Sequence, residues 1–259
     1  MSIAIVALVR GYKDKNKYKD LFLRNESIFK HISSKVSEKI DFILFHEGNI
    51  SFSHQKYIQE NSKDKLTFID VSQDFNFDHE LLNQVKDIER FNSGYRLMCR
   101  FNFYGIWKYL ENYDYVMRVD EDVIIEKFDI RNINFIKENE VIFSTISLSG
   151  ESHEPTNETL PEALKEVFNS NSTNFYNHKF PYTNLYISRT DFWLESNISS
   201  NLKKLASDRQ FINRWGDLPI LGSFLNFYNK EIYLLKNSTY FHSSHNTQVS
   251  NRKFLKFLN

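Results

Sequence analysis

At 259 residues the chain has the length of one large domain, with room for a substantial core and a ligand cleft, and no linker divides it. Lys+Arg and Asp+Glu each total 33, which gives no basic excess for a nucleic-acid footprint, and 24 Phe and 14 Tyr against 7 Gly and 4 Pro exclude a disordered chain. The single cysteine, Cys99, excludes an internal disulfide; no apolar run approaches the roughly 20 residues of a membrane span, and Met1 leads directly into a strand, so a cytosolic setting is expected.

In chain order, Ile3–Val9 is a continuous apolar run ending at Arg10-Gly11, the pattern of a buried parallel strand. A helix is expected from about Tyr18 to Val36, with Leu21, Ile28, Phe29 and Ile32 at helical spacing. A strand at Asp41–Phe45 follows, then a helix near Ser53–Glu60 with Ser53 as N-cap, and a third strand at Leu66–Val71. Residues 79–92 read as a charged helix, and Tyr95–Leu110 as a second helix carrying Leu97, Met98, Phe101 and Ile106 toward the core. The stretch Tyr113–Val123 then sends an apolar strand straight into Asp120, Glu121 and Asp122. This β-α-β-α-β order predicts an α/β fold: a mainly parallel central sheet flanked by helices on both faces.

The second half is less regular. Val141–Ile146 reads as a strand. Residues 149–177 are polar and Asn-rich, locally helical around Pro161–Phe168, and form a candidate lid. Leu185–Ser188 is a short strand, followed by a helix begun by Thr190 or Asp191 and by the loop Arg214-Trp215-Gly216-Asp217. A helix Leu218–Tyr228 and a strand Glu231–Leu235 lead into His242-Ser243-Ser244-His245.

The acidic strand end is the feature richest in chemistry. Three consecutive carboxylates at the end of an apolar strand are costly unless a cation sits there, and hard divalent ions commonly bridge such groups to substrate phosphates. The D-x-D spacing of Asp120 and Asp122 is weak by itself, because a solvated strand-to-loop turn has the same pattern. His242 alone also reads as an ordinary histidine, and Cys99 as a small buried hydrophobe. Arg214–Asp217 has a local reading too, as a helix C-cap followed by an N-cap aspartate.

Several segments together resemble the yeast-type α-1,2-mannosyltransferases of glycosyltransferase family 15: Gly94–Phe101, Tyr113–Val123, Arg214-Trp-Gly-Asp217 and Tyr240-Phe-His242, in that order and approximate spacing, with Ala7–Arg10 similar to the family's first strand. The resemblance implies a single GT-A domain, with residues 1–123 as the nucleotide-sugar half and 124–259 as the acceptor-side half. It also implies GDP-mannose as donor, Mn (or Mg) as cofactor, and transfer with retention onto a saccharide or glycoconjugate. Carried over position by position, it implies metal ligation by Asp120 and His242, with Asp122 binding directly or through water. Arg10 would contact the nucleotide, Arg118 or Arg100 would orient carboxylates or phosphates, and Tyr95 and Asp217 would belong to the active site. Imidazole with carboxylate suits Mn better than Mg.

One position departs from the family. Aligning Thr183–Phe192 with the family's Ser-Asn-Phe-Glu segment places Tyr186 where the family carries a glutamate, so a covalent glycosyl-carboxylate intermediate at that position is excluded. Front-face attack then accounts for retention, or another carboxylate such as Asp217 or Glu151 enters the site. The same departure keeps a catalytically silent sugar binder open as an alternative, alongside a UDP-sugar transferase of the same fold and, more weakly, a metal-dependent phosphohydrolase. The tail Arg252–Leu258 alternates cations with Phe254, Leu255, Phe257 and Leu258, a pattern suited to peripheral membrane contact.

Overall fold

The computed structural model describes residues 2–76, 81, 85, 92–177 and 179–250. The tail Arg252–Leu258 and most of the helix expected over 79–92 lie outside the described residues.

Twelve strands are described: β1 (Ser2–Leu8), β2 (Lys39–His46), β3 (Leu66–Asp70), β4 (Tyr115–Val119), β5 (Val123–Lys127), β6 (Phe143–Thr145), β7 (Leu148–Ser149), β8 (Phe180–Pro181), β9 (Leu185–Arg189), β10 (Ile232–Leu234), β11 (Thr239–His242) and β12 (Thr247–Ser250). Seven build the central sheet in the order β10-β6-β9-β4-β1-β2-β3. Neighbours pair in parallel except β9, which runs antiparallel to both β4 and β6. A smaller sheet, β12-β11-β5, is antiparallel throughout.

Side-chain alternation along the strands divides the core in two. Val116 and Arg118 of β4 face the side that buries Phe45, Phe101, Phe143 and Trp193, while Tyr115, Met117 and Val119 face the side that buries Leu21, Ile28, Ile133 and Ile136. Helices cover both faces, as the β-α-β order requires. They are α1 (Lys19–His31), α2 (Phe52–Glu60), α3 (Ser93–Arg100), α4 (Arg131–Glu138), α5 (Glu154–Phe168), α6 (Thr190–Leu194), α7 (Ser196–Leu205), α8 (Asp208–Asn213) and α9 (Asp217–Phe227).

Several local expectations are revised. The N-cap of α2 is Ser51, not Ser53: Ser51 has extended backbone and its hydroxyl accepts from the His54 amide, while the Ser53 hydroxyl meets that of Ser51. The helix expected from Tyr95 begins at Ser93, capped by Asn92, and after Arg100 widens into a π-helical turn over Phe101–Gly105, closed by the Ile106 amide on the Phe101 carbonyl. Within the candidate lid, α5 is a full 15-residue helix rather than a local turn, because Thr156, Leu160, Ala163, Leu164 and Phe168 bury one continuous face across Pro161. Among the described residues, no helix is long and apolar enough to cross a membrane.

Candidate active site

The sheet order creates a crevice. From β1 the chain steps to β2 and β3 on one side, then returns to β4 on the other, so strand order reverses between β1 and β4. Ligands of open α/β sheets bind beyond the carboxyl ends of strands at such a point. Here those ends are Val9-Arg10 and Val119-Asp120, which places the three carboxylates at the mouth of the crevice. The turn carrying them is fixed by the backbone: the Asp120 amide donates to the Asn184 carbonyl (3.0 Å) and the Val123 amide to the Asp120 carbonyl (3.1 Å).

Arg118 organises the floor. Its Nε and Nη2 donate to the two oxygens of Asp120 (2.7 and 3.2 Å), and its Nη1 donates to Asp217 Oδ2 (2.5 Å). Burial by itself would lower the guanidinium pKa; Asp120 and Asp217 more than offset it, so the cation is held well above its ordinary value. Burial raises the Asp120 pKa against the opposing pull of Arg118. Asp217 is the first residue of α9, with Gly216 at the N-cap and Arg214 as the left-handed C-cap of α8 (φ 55°). The loop is thus the local capping device the sequence allowed, except that Gly216 holds the N-cap and Asp217 is turned inward to Arg118.

Tyr186 is fully buried on β9, directly across from Arg118 in the antiparallel register, and its ring stacks on Phe143 (4.8 Å between centroids). Its hydroxyl lies in the field of Arg118, Asp217 and Asp120, yet meets no partner at hydrogen-bond geometry among the described residues; burial raises its pKa. Tyr95 is half-buried on α3. Its pKa is raised by the adjacent Cys99, by burial and by Asp217, so the structure brings it to the same cluster. Cys99 is buried, and burial raises its thiol pKa, as expected of a small core residue.

Pairing in the small sheet delivers His242. In the β11–β5 ladder His242 stands opposite Val123, next to Asp122, and its Nε2 lies 3.2 Å from Asp122 Oδ2. Burial pushes the Asp122 pKa up, but hydrogen bonds and charge from His242, with Ser244, bring it down to about 2. The other ring nitrogen, Nδ1, faces the Tyr182 hydroxyl at 3.4 Å, which also lies 3.5 Å from His245 Nδ1. Asn184 closes the arrangement, its Nδ2 donating to Asp120 Oδ2 (3.0 Å) and lying 3.4 Å from His242 Nε2.

Of the three expected metal ligands, Asp122 and His242 are in direct contact, whereas Asp120 is held by Arg118 and reaches His242 only through Asn184. No group of three His, Cys, Asp or Glu side chains among the described residues stands arranged to hold an ion. The donor chemistry nonetheless fits a divalent cation: one imidazole and one carboxylate, both largely buried, meet with the Asn184 amide standing between His242 and a second carboxylate.

Arg10 grips Glu121 twice, through its amide (3.0 Å) and its Nε (3.1 Å), while most of its side chain stays exposed at the crevice. Burial, opposed by Arg10, pushes the Glu121 pKa up to about 7. Arg100 is placed elsewhere. Its Nε donates to Gln210 and its Nη2 to the Ser207 carbonyl, and Gln210 in turn donates to the Trp215 carbonyl. It braces the loop before Asp217 and is not brought to the carboxylates. Glu151 lies against Gly216, where an added Cβ would stand 3.9 Å from its Oε2.

Four contributors escaped sequence reasoning. Asn184 and Tyr182 precede β9 and meet the site only through the β4–β9 pairing. Arg24, fully buried on α1, donates to the carbonyls of Val119 (3.0 Å) and Val6 (3.2 Å), beneath the crevice, and burial lowers its pKa to about 10. Asp20, one turn earlier, accepts from Ser243. The apolar spacing of α1 concealed both.

No protein-family model and no curated protein matches the chain. Solved structures do match in fold. Core-mannan synthase A (CmsA/Ktr4) from Aspergillus fumigatus, in a Mn/GDP form, superposes with a TM-score of 0.74 at 20% identity, covering 93% of this chain and 74% of that one. The mannosyltransferase Ktr4p from S. cerevisiae gives 0.73 at 16% identity, covering 93% and 70%. Its GDP complex gives 0.71 at 17% identity, covering 93% and 71%. At these identities the likeness establishes the fold: this chain is built on the GT-A glycosyltransferase architecture.

Proposed function

We propose that the chain is a metal-dependent glycosyltransferase that takes mannose from GDP-mannose and transfers it, with retention, to a saccharide or glycoconjugate acceptor. The observation that carries this reading is the Asp122–His242 contact at the β1/β4 switch point, joined through Asn184 to the Asp120–Arg118–Asp217 chain. Support for the donor and metal comes from the solved structures of the same fold described with Mn and GDP.

In this reading Asp122 and His242 hold the ion, with Asp120 beside them, and Arg10 lies where it can meet the nucleotide. A bound divalent cation would supply Lewis-acid neutralisation of the charge that develops on the departing diphosphate. The protein's own residues orient and pre-charge the site. Arg118 fixes Asp120 on the donor side and Asp217 at the N-terminus of α9, so the two carboxylates are set in relation to each other by one guanidinium. Asp217, Tyr95 and Glu151 form the acceptor-side wall. Tyr186 supplies no carboxylate, so retention proceeds either by front-face attack, with the acceptor hydroxyl proton passing to the leaving phosphate, or through another carboxylate of the site, Asp217 or Glu151.

Thermal-shift titration with GDP and UDP, each with Mn or with EDTA, tests the reading, because a ligand that binds only the folded state raises its stability by mass action. Stabilisation by GDP that requires Mn is expected. Selective stabilisation by UDP would replace the donor; no metal-dependent shift with either nucleotide would favour a silent sugar binder, the reading motivated by Tyr186.

A further inference from the structure

We infer that Asp20, on the first turn of α1, is a positioning residue that sets His242 through Ser243; this inference rests on the metal-binding reading above. His242 ends β11, and the chain turns at once through a short 3-10 segment, Ser243–His245, and Asn246 (φ 47°) into β12, where Thr247 pairs back on His242. His242 is therefore the closing pair of a hairpin whose loop begins one residue later, so that loop acts together with the β5 pairing in setting its ring.

Ser243 ties the loop down on two sides. Its amide donates to the Asp122 carbonyl (2.9 Å), and its hydroxyl donates to Asp20 Oδ2 at 2.6 Å, across 223 positions of sequence. That length is the range of a charge-assisted hydroxyl–carboxylate bond. The first bond joins the loop to the carboxylate turn, and the second joins it to α1.

The second bond belongs to a larger pattern. Asp20, Arg24 and Ser27 are spaced i, i+4, i+7 and share one face of α1. Asp20 holds the loop after β11, Arg24 holds the last carbonyl of β4 and the Val6 carbonyl within β1, and the Ser27 hydroxyl accepts from the Ile125 amide of β5 (2.9 Å). One polar stripe on α1 thus ties together β1, β4, β5 and the loop after β11. Groups that orient metal ligands from behind commonly change affinity by about 10- to 100-fold when removed.

The test is Mn binding, read by the electron paramagnetic signal of free Mn, together with GDP binding measured with Mn and with EDTA. The variants are Asp20→Ala, Ser243→Ala, the double variant, and Asp20→Asn. Asp20 is partly exposed, so these chains are expected to fold, with a thermal-unfolding midpoint near that of the parent. Asp20→Ala and Ser243→Ala should each weaken Mn binding by about 10-fold, the double variant should be no weaker than either, and GDP binding in EDTA should not change. Asp20→Asn keeps an oxygen that accepts the serine hydroxyl without the charge assistance and should lose less than Asp20→Ala. Equal loss in Asp20→Asn and Asp20→Ala would overturn the inference by showing that Asp20 acts through its charge; unchanged Mn affinity in Asp20→Ala would overturn it directly. Absence of Mn binding by the parent chain would overturn both this inference and the proposed function.

Discussion

Arg118 is the cation on which one buried carboxylate, Asp217, and one partly buried carboxylate, Asp120, depend. Removing one partner of a buried ion pair leaves the other charged in a low-dielectric site, so Arg118→Met should destabilise the protein by about 3–5 kcal/mol, measured by urea unfolding; a loss under 1 kcal/mol would show that Asp120 and Asp217 are solvated. Tyr186 makes the opposite prediction. Its hydroxyl is buried without a geometric partner, so Tyr186→Phe removes a desolvated polar group and keeps the stacking on Phe143. Stability unchanged or raised by about 1 kcal/mol is expected, with sugar transfer retained; loss of transfer at unchanged stability would give the hydroxyl a chemical role. Most of the site's residue types were legible in sequence, since Asp120, Asp122, His242, Asp217 and Tyr95 all stand in or against the cluster. Arg100 was not, because a guanidinium can serve a carboxylate or a carbonyl and only the packing of α3 on α8 decides which.

The second half of the site hangs on how α9 docks. Gly222 faces Phe180 of β8 so closely that an added Cβ would stand 2.5 Å from the ring. Gly222→Ala should therefore force α9 outward and cost about 1–3 kcal/mol, read as a lower thermal midpoint. Since Asp217 opens that helix, a parallel drop in Mn-dependent GDP stabilisation is expected; normal stability would mean that Phe180 yields freely. α5 shows why the second half of the chain was harder to read. Its Asn, Thr and Pro content suggests loop, yet a buried stripe from Thr156 to Phe168 outweighs weak local propensity.

For the molecule as a whole, the turn's carboxylates make stability depend on pH in two opposite ways. Glu121 is held at about 7 against an ordinary 4.5, so the folded state binds its proton more tightly. That contribution is fully present below about pH 4.5 and is lost as pH rises through about 7, a loss on the order of 3 kcal/mol. Asp122, at about 2 against an ordinary 3.8, contributes stability above about pH 4 that is lost as pH falls through about 2. In EDTA, the melting temperature of Glu121→Gln minus that of the parent should rise between pH 4.5 and 7, a difference that isolates Glu121 from histidines such as His153 whose lowered pKa acts in the opposite sense, while the acid limb stays in place. An unchanged difference would assign the alkaline loss to other groups.

By itself the sequence determined the alternation of strands and helices, the parallel frame around β1 to β4, and the carboxylates at the end of β4. Each of these is written in local periodicity, which short-range sterics and burial convert directly into elements. Only the tertiary structure decided what those carboxylates meet. His242 reaches Asp122 because β11 pairs with β5, Asn184 reaches Asp120 because β9 runs antiparallel beside β4, and Arg24 and Asp20 reach the site because one face of α1 lies beneath it. Those contacts join residues that are up to 223 positions apart. Their partners are selected by strand register and helix docking across the whole chain, and no local pattern of residues carries that information.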